Sequence, residues 1–261
     1  MTGEERSALA KVPAITLGFW AIKILATTLG ETAGDAVSMS WLGETTDQAT
    51  GWGYLIGTAI FIVPLALLVL AQIRARGFSP WLYWATIIAS TTAGTTMADF
   101  ATRSLGIGYP GGSLLLFAVV LISLFVWYRT TGSIAVHTVS SPRAEGFYWL
   151  TITFSQTLGT ALGDWTADTG GLGYLGGATL FAVGLLLLAA LYRFTTTNRT
   201  MLFWAAFILT RPLGATVGDF LDKPLAKGGL DLSRPLASLA LALVIAGLVW
   251  FLPQRAAAKP H

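Results

Sequence analysis

The chain alternates between two kinds of apolar stretch. Eight stretches are long enough to cross a bilayer, at about residues 13–41, 53–73, 81–101, 111–128, 146–167, 173–192, 201–221 and 234–252; a spanning helix needs about 20 residues. The even-numbered stretches are rich in Leu, Val, Ile and Ala, as from Leu114 to Val126, Leu180 to Leu191 and Ala237 to Trp250. These are expected to face lipid. The odd-numbered stretches are rich in Gly, Thr, Ser and Ala and carry the acids, so they are expected to form an interior layer. Links such as Arg74 to Ser79 and Arg193 to Arg199 leave no room for a soluble domain. The pattern predicts an all-α polytopic membrane protein, one domain over residues 1–261 with eight transmembrane helices.

The same pattern recurs four times. Thr28 to Asp35 contains Gly30, Gly34 and Asp35, and looser copies run from Gly94 to Asp99, Gly159 to Asp164 and Gly214 to Asp219. Each copy has an aromatic-Trp pair upstream: Phe19-Trp20, Tyr83-Trp84, Tyr148-Trp149 and Phe203-Trp204. The Trp stands 15 residues before the Asp in all four. A fixed offset marks an internal repeat, at about 13–75, 79–129, 144–193 and 199–253. Each repeat predicts one helical hairpin entering from the same side, so the four are parallel and related by a pseudo-fourfold or two-by-two axis along the membrane normal. Gly30/Gly34, Gly94/Ala98, Gly159/Gly163 and Gly214/Gly218 are small-xxx-small pairs that let helix backbones approach closely in lipid. Repeat 4 has Lys227-Gly228-Gly229 where the others have a Gly-Tyr turn. Repeat 1 carries about nine extra residues, including Glu44 and Asp47.

Composition narrows the chemistry. Only 11% of residues are charged and 54% are hydrophobic. The net charge of +3 does not imply nucleic acid, because the bases sit in short links where they set topology. Arg6, Lys11, Arg74, Arg76, Arg129, Arg143, Arg193, Arg199, Arg255 and Lys259 fall on one side; Arg103, Lys223, Lys227 and Arg234 fall on the other. Ten against four places both termini in the cytoplasm of a bacterial inner-membrane protein. Residues 1–12 are polar and precede a run long enough to span, so no cleavable leader is expected. There is no cysteine, and the two histidines, His137 and His261, lie in a loop and at the C-terminus. Thiolate and imidazole metal sites are not expected. The four Trp residues are expected to anchor the cytoplasmic interface as an aromatic belt.

The acids carry the candidate chemistry. Asp35, Asp99, Asp164 and Asp219 lie roughly 22 Å beyond each Trp, at 1.5 Å per residue. A carboxylate at membrane depth costs about 2.5–3.5 kcal/mol and normally faces a cavity, a partner or an ion. Stepping by four keeps one helix face. That face reads Lys23, Thr27, Glu31, Asp35 in repeat 1; Thr91, Thr95, Asp99, Arg103 in repeat 2; Gln156, Thr160, Asp164, Asp168 in repeat 3; and Arg211, Ala215, Asp219, Lys223 in repeat 4. Four such faces turned inward predict a polar path. Glu31 is unique to repeat 1 and Arg211 to repeat 4, and Arg211 is expected to pair with Glu31 or a neighbouring Asp. Five core acids against Lys23 and Arg211 leave −3, which calls for protons or a cation.

The chain resembles the bacterial membrane proteins made of four tandem copies of a repeat of unknown function, each with two membrane spans and a characteristic Trp. The resemblance implies the architecture and little about activity. Glu31-Thr32-Ala33-Gly34-Asp35 is also similar to the Glu-x-Gly-Asp motif of cation/proton exchangers, with one residue more between the acids and no Glu in the other copies. The reading from sequence is a proton-coupled transporter or exporter of a hard cation, Mn²⁺ or Mg²⁺, which suits oxygen ligands. Glu31, Asp35, Asp99, Asp164 and Asp219 would bind the ion, with Lys23, Thr27, Thr91, Thr95, Gln156, Thr160 and Arg211 along the path. The alternatives are a non-transporting scaffold or accessory protein, whose polar residues hold the bundle, and a small-solute transporter in which Arg211 and Lys23 bind an anionic group. Enzyme chemistry is not expected: no cofactor motif and no nucleophile paired with a base is evident.

Overall fold

The computed structural model describes residues 11–47 and 49–257; Arg6, Lys259 and His261 lie outside them. Eight long helices are present among the described residues: α1 (Leu17–Asp35), α2 (Trp52–Arg74), α3 (Pro80–Asp99), α4 (Gly108–Thr131), α5 (Pro142–Asp164), α6 (Gly173–Phe194), α7 (Arg199–Asp222) and α8 (Arg234–Phe251). The protein is an all-α membrane protein. By length and composition α2, α4, α6, α7 and α8 can each cross a bilayer. The other three, α1, α3 and α5, have more Thr, Ser and Gly and lie inside the bundle.

Inner and outer helices begin by different chemistry. Each odd helix starts at a side-chain cap: Thr16, Ser79, Ser141 and Asn198 accept the backbone N–H three residues on, at 3.1–3.5 Å. Such a cap satisfies an N–H the helix itself leaves open. The cap at Thr16 starts α1 later than the apolar run suggests. Val12 to Thr16 instead run beside the C-terminal segment, with Pro13 bridged to Ala256 and Ala14 N–H donating to Arg255 O at 2.7 Å. In repeat 1, Glu44 takes over capping of α2 by accepting from the N–H groups of Gly51 (2.8 Å) and Gly53 (2.6 Å). Past the Asp, α1, α3 and α5 continue into one π-helical turn, at Ala36–Trp41, Phe100–Ser104 and Trp165–Thr169. Helix α7 ends at Asp222 without one.

The four odd helices form a closed ring, α1–α3–α5–α7–α1. The glycines show how it closes. A Cβ on Gly30 would stand 2.4 Å from Thr91, and one on Gly34 2.8 Å from Thr95. On Gly94 it would meet Gln156 at 2.9 Å; on Gly159 and Gly163 it would meet Arg211 at 2.1 Å and Ala215 at 3.0 Å. On Gly214 and Gly218 it would meet Thr27 at 2.1 Å and Glu31 at 2.7 Å. Each helix thus offers small positions to the polar face of the next. Both contacts of a pair advance by four residues in the same sense, so neighbouring inner helices are parallel. A methyl at the tightest of these sites would overpack the ring.

The hairpins interlock. The second helix of each repeat packs mainly on the first helix of the next: α2 on α3, α4 on α5, α6 on α7 and α8 back on α1. Gly57 against Thr96, Ser123 bonded to Thr151, Gly177 against Thr216 and Ser238 bonded to Thr32 mark the four seams. The outer helices have little buried surface of their own: 11–28% of their most apolar windows, against 67% for α7.

The aromatic-Trp pairs make the same circuit. The Phe19 ring meets Trp84 at 5.5 Å, Tyr83 meets Trp149 at 5.6 Å, Tyr148 meets Trp204 at 6.2 Å, and Phe203 meets Trp20 at 5.9 Å. Trp84, Trp149 and Trp204 are buried and Trp20 is partly so. This corrects the belt expected from sequence: the repeat Trp residues form an internal collar that closes one end of the ring. The exposed tryptophans are Trp81 and Trp250 near that end and Trp41 and Trp52 near the other. They match the amphipathic interface position.

Candidate axial charge network

Counting back in fours from each Asp gives stacked layers along the ring axis. Nearest the collar lie Lys23, Ile87, Ile152 and Phe207. Next come Thr27, Thr91, Gln156 and Arg211, then Glu31, Thr95, Thr160 and Ala215, and then Asp35, Asp99, Asp164 and Asp219. All sixteen are buried. The layers are about 6 Å apart, four residues at 1.5 Å rise.

Thr27 and Thr91 are seated in the interfaces. Thr27 Oγ1 donates to Ile24 O at 2.8 Å and faces Gly214, and Thr91 lies against Gly30. Arg211 leaves its layer and reaches the next. Its Nη2 lies 2.9 Å from Glu31 Oε2, 2.6 Å from Thr95 Oγ1 and 2.5 Å from Thr160 Oγ1, three acceptors that share its two N–H groups. One guanidinium nitrogen therefore ties repeat 4 to the other three. Ala215, the fourth residue of that layer, packs against Gly163 and offers Arg211 no polar partner. Breaking such a buried pair leaves a lone charge in low dielectric.

The Asp layer is matched in twos. Arg103, one turn beyond Asp99, donates to Asp99 Oδ1 at 2.7 Å and reaches Asp164 Oδ2 at 3.4 Å. Lys223, one turn beyond Asp219, meets Asp219 Oδ1 at 2.9 Å and also pairs with Asp35. Repeats 2 and 4 supply a base at this position, while repeats 1 and 3 have Met39 and the exposed Asp168. The ring is fourfold in backbone packing and two-by-two in charge. Asp222, 3.5 Å from Arg234, adds a further buried acid.

The count of charges differs from the sequence tally. Adding Arg103, Lys223, Asp222 and Arg234 to the original seven makes six acids against five bases, −1 in place of −3. The four Asp against Arg103 and Lys223 alone give −2. Arg103 and Lys223 lie just past the expected spans and Arg234 at the start of one, and the tally of core charge left them out; the signal for the first two is their place on the inward ladder, four residues past an Asp. Asp222 had no signal beyond its closeness to a helix end.

Two groups of carboxylates come close enough to share one ion. Oxygens of Glu31, Asp164 and Asp219 lie within 4.8 Å of one another, as do those of Asp35, Asp219 and Asp222. Asp99 joins neither group and stays with Arg103. Lys23, at the other end, is fully buried and reaches Gln156 Oε1 at 3.4 Å and the face of Phe207 at 4.2 Å.

Comparison with curated proteins and with solved structures returns no match. The repeat described as "Repeat of Unknown Function (DUF347)" matches the chain four times, at residues 18–78, 82–133, 147–198 and 202–255. Its period coincides with the inner-plus-outer helix unit of the ring, and its matches cover most of the chain, which therefore belongs to the DUF347 repeat family.

Proposed function

We propose that the protein moves a hard inorganic cation, a divalent ion of the Mn²⁺ or Mg²⁺ class, across a bacterial inner membrane in exchange for protons. The observation that carries this reading is the group formed by Glu31, Asp164 and Asp219. Three buried carboxylates from three helices have oxygens within 4.8 Å of one another. Ligand oxygens at about 2.0–2.6 Å from one ion stand at such separations. The −2 surplus of the Asp layer equals one divalent ion or two protons, a balance suited to exchange. Thr95 and Thr160 stand beside Glu31 and supply neutral oxygens. Asp35 and Asp99 hold Lys223 and Arg103, the bases an incoming ion must displace.

The distribution of Lys and Arg supports a topology with both termini in the cytoplasm. Of the four bases near the Asp end, Arg103, Lys223 and Arg234 face buried carboxylates, which strengthens the contrast between the two sides. The chain has no cysteine, so a single Cys introduced at Lys227 or at Thr196 can report its side by labelling with an impermeant maleimide in intact cells. The Lys227 position is expected to label and the Thr196 position not to.

The pairing of each axial Asp with a base favours a second reading, in which the network holds a non-transporting scaffold together. Transport in proteoliposomes separates the two. Asp164→Asn with Asp219→Asn should lower Mn²⁺ flux driven by a pH gradient by at least about tenfold, the effect of about 1.4 kcal/mol. Unchanged flux in the double variant overturns cation transport through this group.

A further inference from the structure

Beyond the acidic group, the other half of the axis has the opposite chemistry. Three buried nitrogen donors from three inner helices stand in two adjacent layers. Lys23 Nζ on α1 makes a single long hydrogen bond, 3.4 Å to Gln156 Oε1. Gln156 Nε2 on α5 and Arg211 Nε on α7 have no hydrogen-bonding partner among the described residues. All three side chains are fully buried. They occupy adjacent layers, about 6 Å apart along the axis. That Lys23 and Gln156 meet although α1 and α5 stand opposite in the ring shows that both reach the axis. Of the nearby acceptors, Gln156 Oε1 is engaged by Lys23, and Glu31 Oε2 and Thr27 O by Arg211, while Thr91 Oγ1, packed against Gly30, has no partner among the described residues.

The surroundings are apolar on the collar side, where Phe207, Ile87 and Ile152 fill the Lys23 layer. No carboxylate forms an ion pair with Lys23 among the described residues. With Lys23 protonated, Lys23 and Arg211 against Glu31 leave a local surplus of +1. Buried donors are normally satisfied, and a buried charge is normally matched. A donor-rich compartment with one excess positive charge matches a monovalent anion that accepts several N–H bonds.

The geometry points to a binding site for a small inorganic anion, of the size and charge of chloride, held on the ring axis by Lys23 Nζ, Gln156 Nε2 and Arg211 Nε. The anion neutralises Lys23 and completes the donors of Gln156 and Arg211. It occupies the half of the axis between the aromatic collar and the Arg211–Glu31 pair, apart from the Asp layer. Its donors are distinct from the carboxylates of the acidic group, and the two meet only at the Arg211–Glu31 pair.

The test uses the full chain purified in detergent without divalent cations. Unfolding is followed in sodium chloride and in sodium gluconate of equal ionic strength. At chloride about 100-fold above its Kd, the midpoint should rise by several degrees, about 5–11 °C for a chain of this size. Lys23→Met should abolish the difference, and Gln156→Leu should reduce it. Asp164→Asn should retain it, so a failure of the cation reading leaves this result standing. A crystal grown in bromide should show an anomalous peak between Lys23 and Arg211, which keeps the test decisive if Lys23→Met fails to fold. Equal midpoints in the two salts, a chloride effect unchanged in Lys23→Met, or water in place of bromide on the axis would each overturn the assignment.

Discussion

The two halves of the ring axis are built from the same four helices on the same four-residue step, yet they solve opposite problems. In the Asp half, four carboxylates from four repeats would repel one another. Two bases, Arg103 and Lys223, enter from the helix ends and each spans an Asp on its own helix and one on the neighbour. In the collar half, donors exceed acceptors, and Lys23 has no carboxylate. Between them stands the Arg211–Glu31 pair, with Thr95 and Thr160 completing the contacts of Nη2. The difference shows how a repeat protein departs from its own symmetry. The backbone packing stays fourfold because every helix needs the same small positions against its neighbour. The charges depart from fourfold because four identical charged layers could not be neutralised.

The boundary pair should give the largest effect when broken. Arg211→Met is expected to lower stability by about 3–5 kcal/mol, the usual result of leaving one member of a buried pair alone. Adding Glu31→Gln should recover most of that loss, as measured by unfolding in detergent. Equal losses in the single and double variants would show that the two halves are not joined through this pair.

A change confined to the Asp half should be smaller and should respond to metal. Lys223→Met removes one charged hydrogen-bonding partner from Asp35 and Asp219, at a cost of about 1.5–3 kcal/mol. It also raises the local surplus from −2 to −3, so Mn²⁺ should stabilise this variant more than the parent while the chloride response stays the same. A variant that loses stability and gains no response to Mn²⁺ would favour the scaffold reading.

The smallest effect is expected outside the ring. Trp81 is exposed at the collar end and touches only Trp250 among the aromatic rings, at 6.4 Å. Trp81→Ala should change stability by about 0.5 kcal/mol or less in detergent. A loss as large as that of a buried Trp would mean that the collar extends to the lipid-facing surface.

Much of this was legible along the chain. Apolar content separated inner from outer helices, and the Trp-to-Asp offset announced the repeat. The step of four brought Glu31, Thr95, Thr160 and Arg211 onto inward faces. That Arg211 meets an axial acid also follows from the sequence; that the acid is Glu31 rather than a neighbouring Asp is settled by the structure. The tryptophans, which sequence position suggests as a belt, form an internal collar instead. Their position near a span end suits an interface equally well, and only contact with the aromatic of the preceding helix turns them inward. Arg103 and Lys223 continue the four-residue ladder past the expected span ends, and a similar ambiguity keeps them out of the sequence tally of core charge. A base at a helix end can point to water or back along the axis, and the chain alone does not decide which.

Helix number, repeat period and the residues of each face are local properties, set by hydropathy and by 3.6 residues per turn, so the amino-acid order was enough to establish them. Which helix meets which is not local. The second helix of every repeat lies on the next repeat, α8 closes on α1, and the order of neighbours around the ring determines which charges meet. That order arises from close packing of Gly30, Gly34, Gly94, Gly159, Gly163, Gly214 and Gly218 against facing side chains, a fit between surfaces distant in sequence. The two-by-two charge pattern, the donor compartment at Lys23 and the enclosed Arg211–Glu31 pair exist only once that ring has closed.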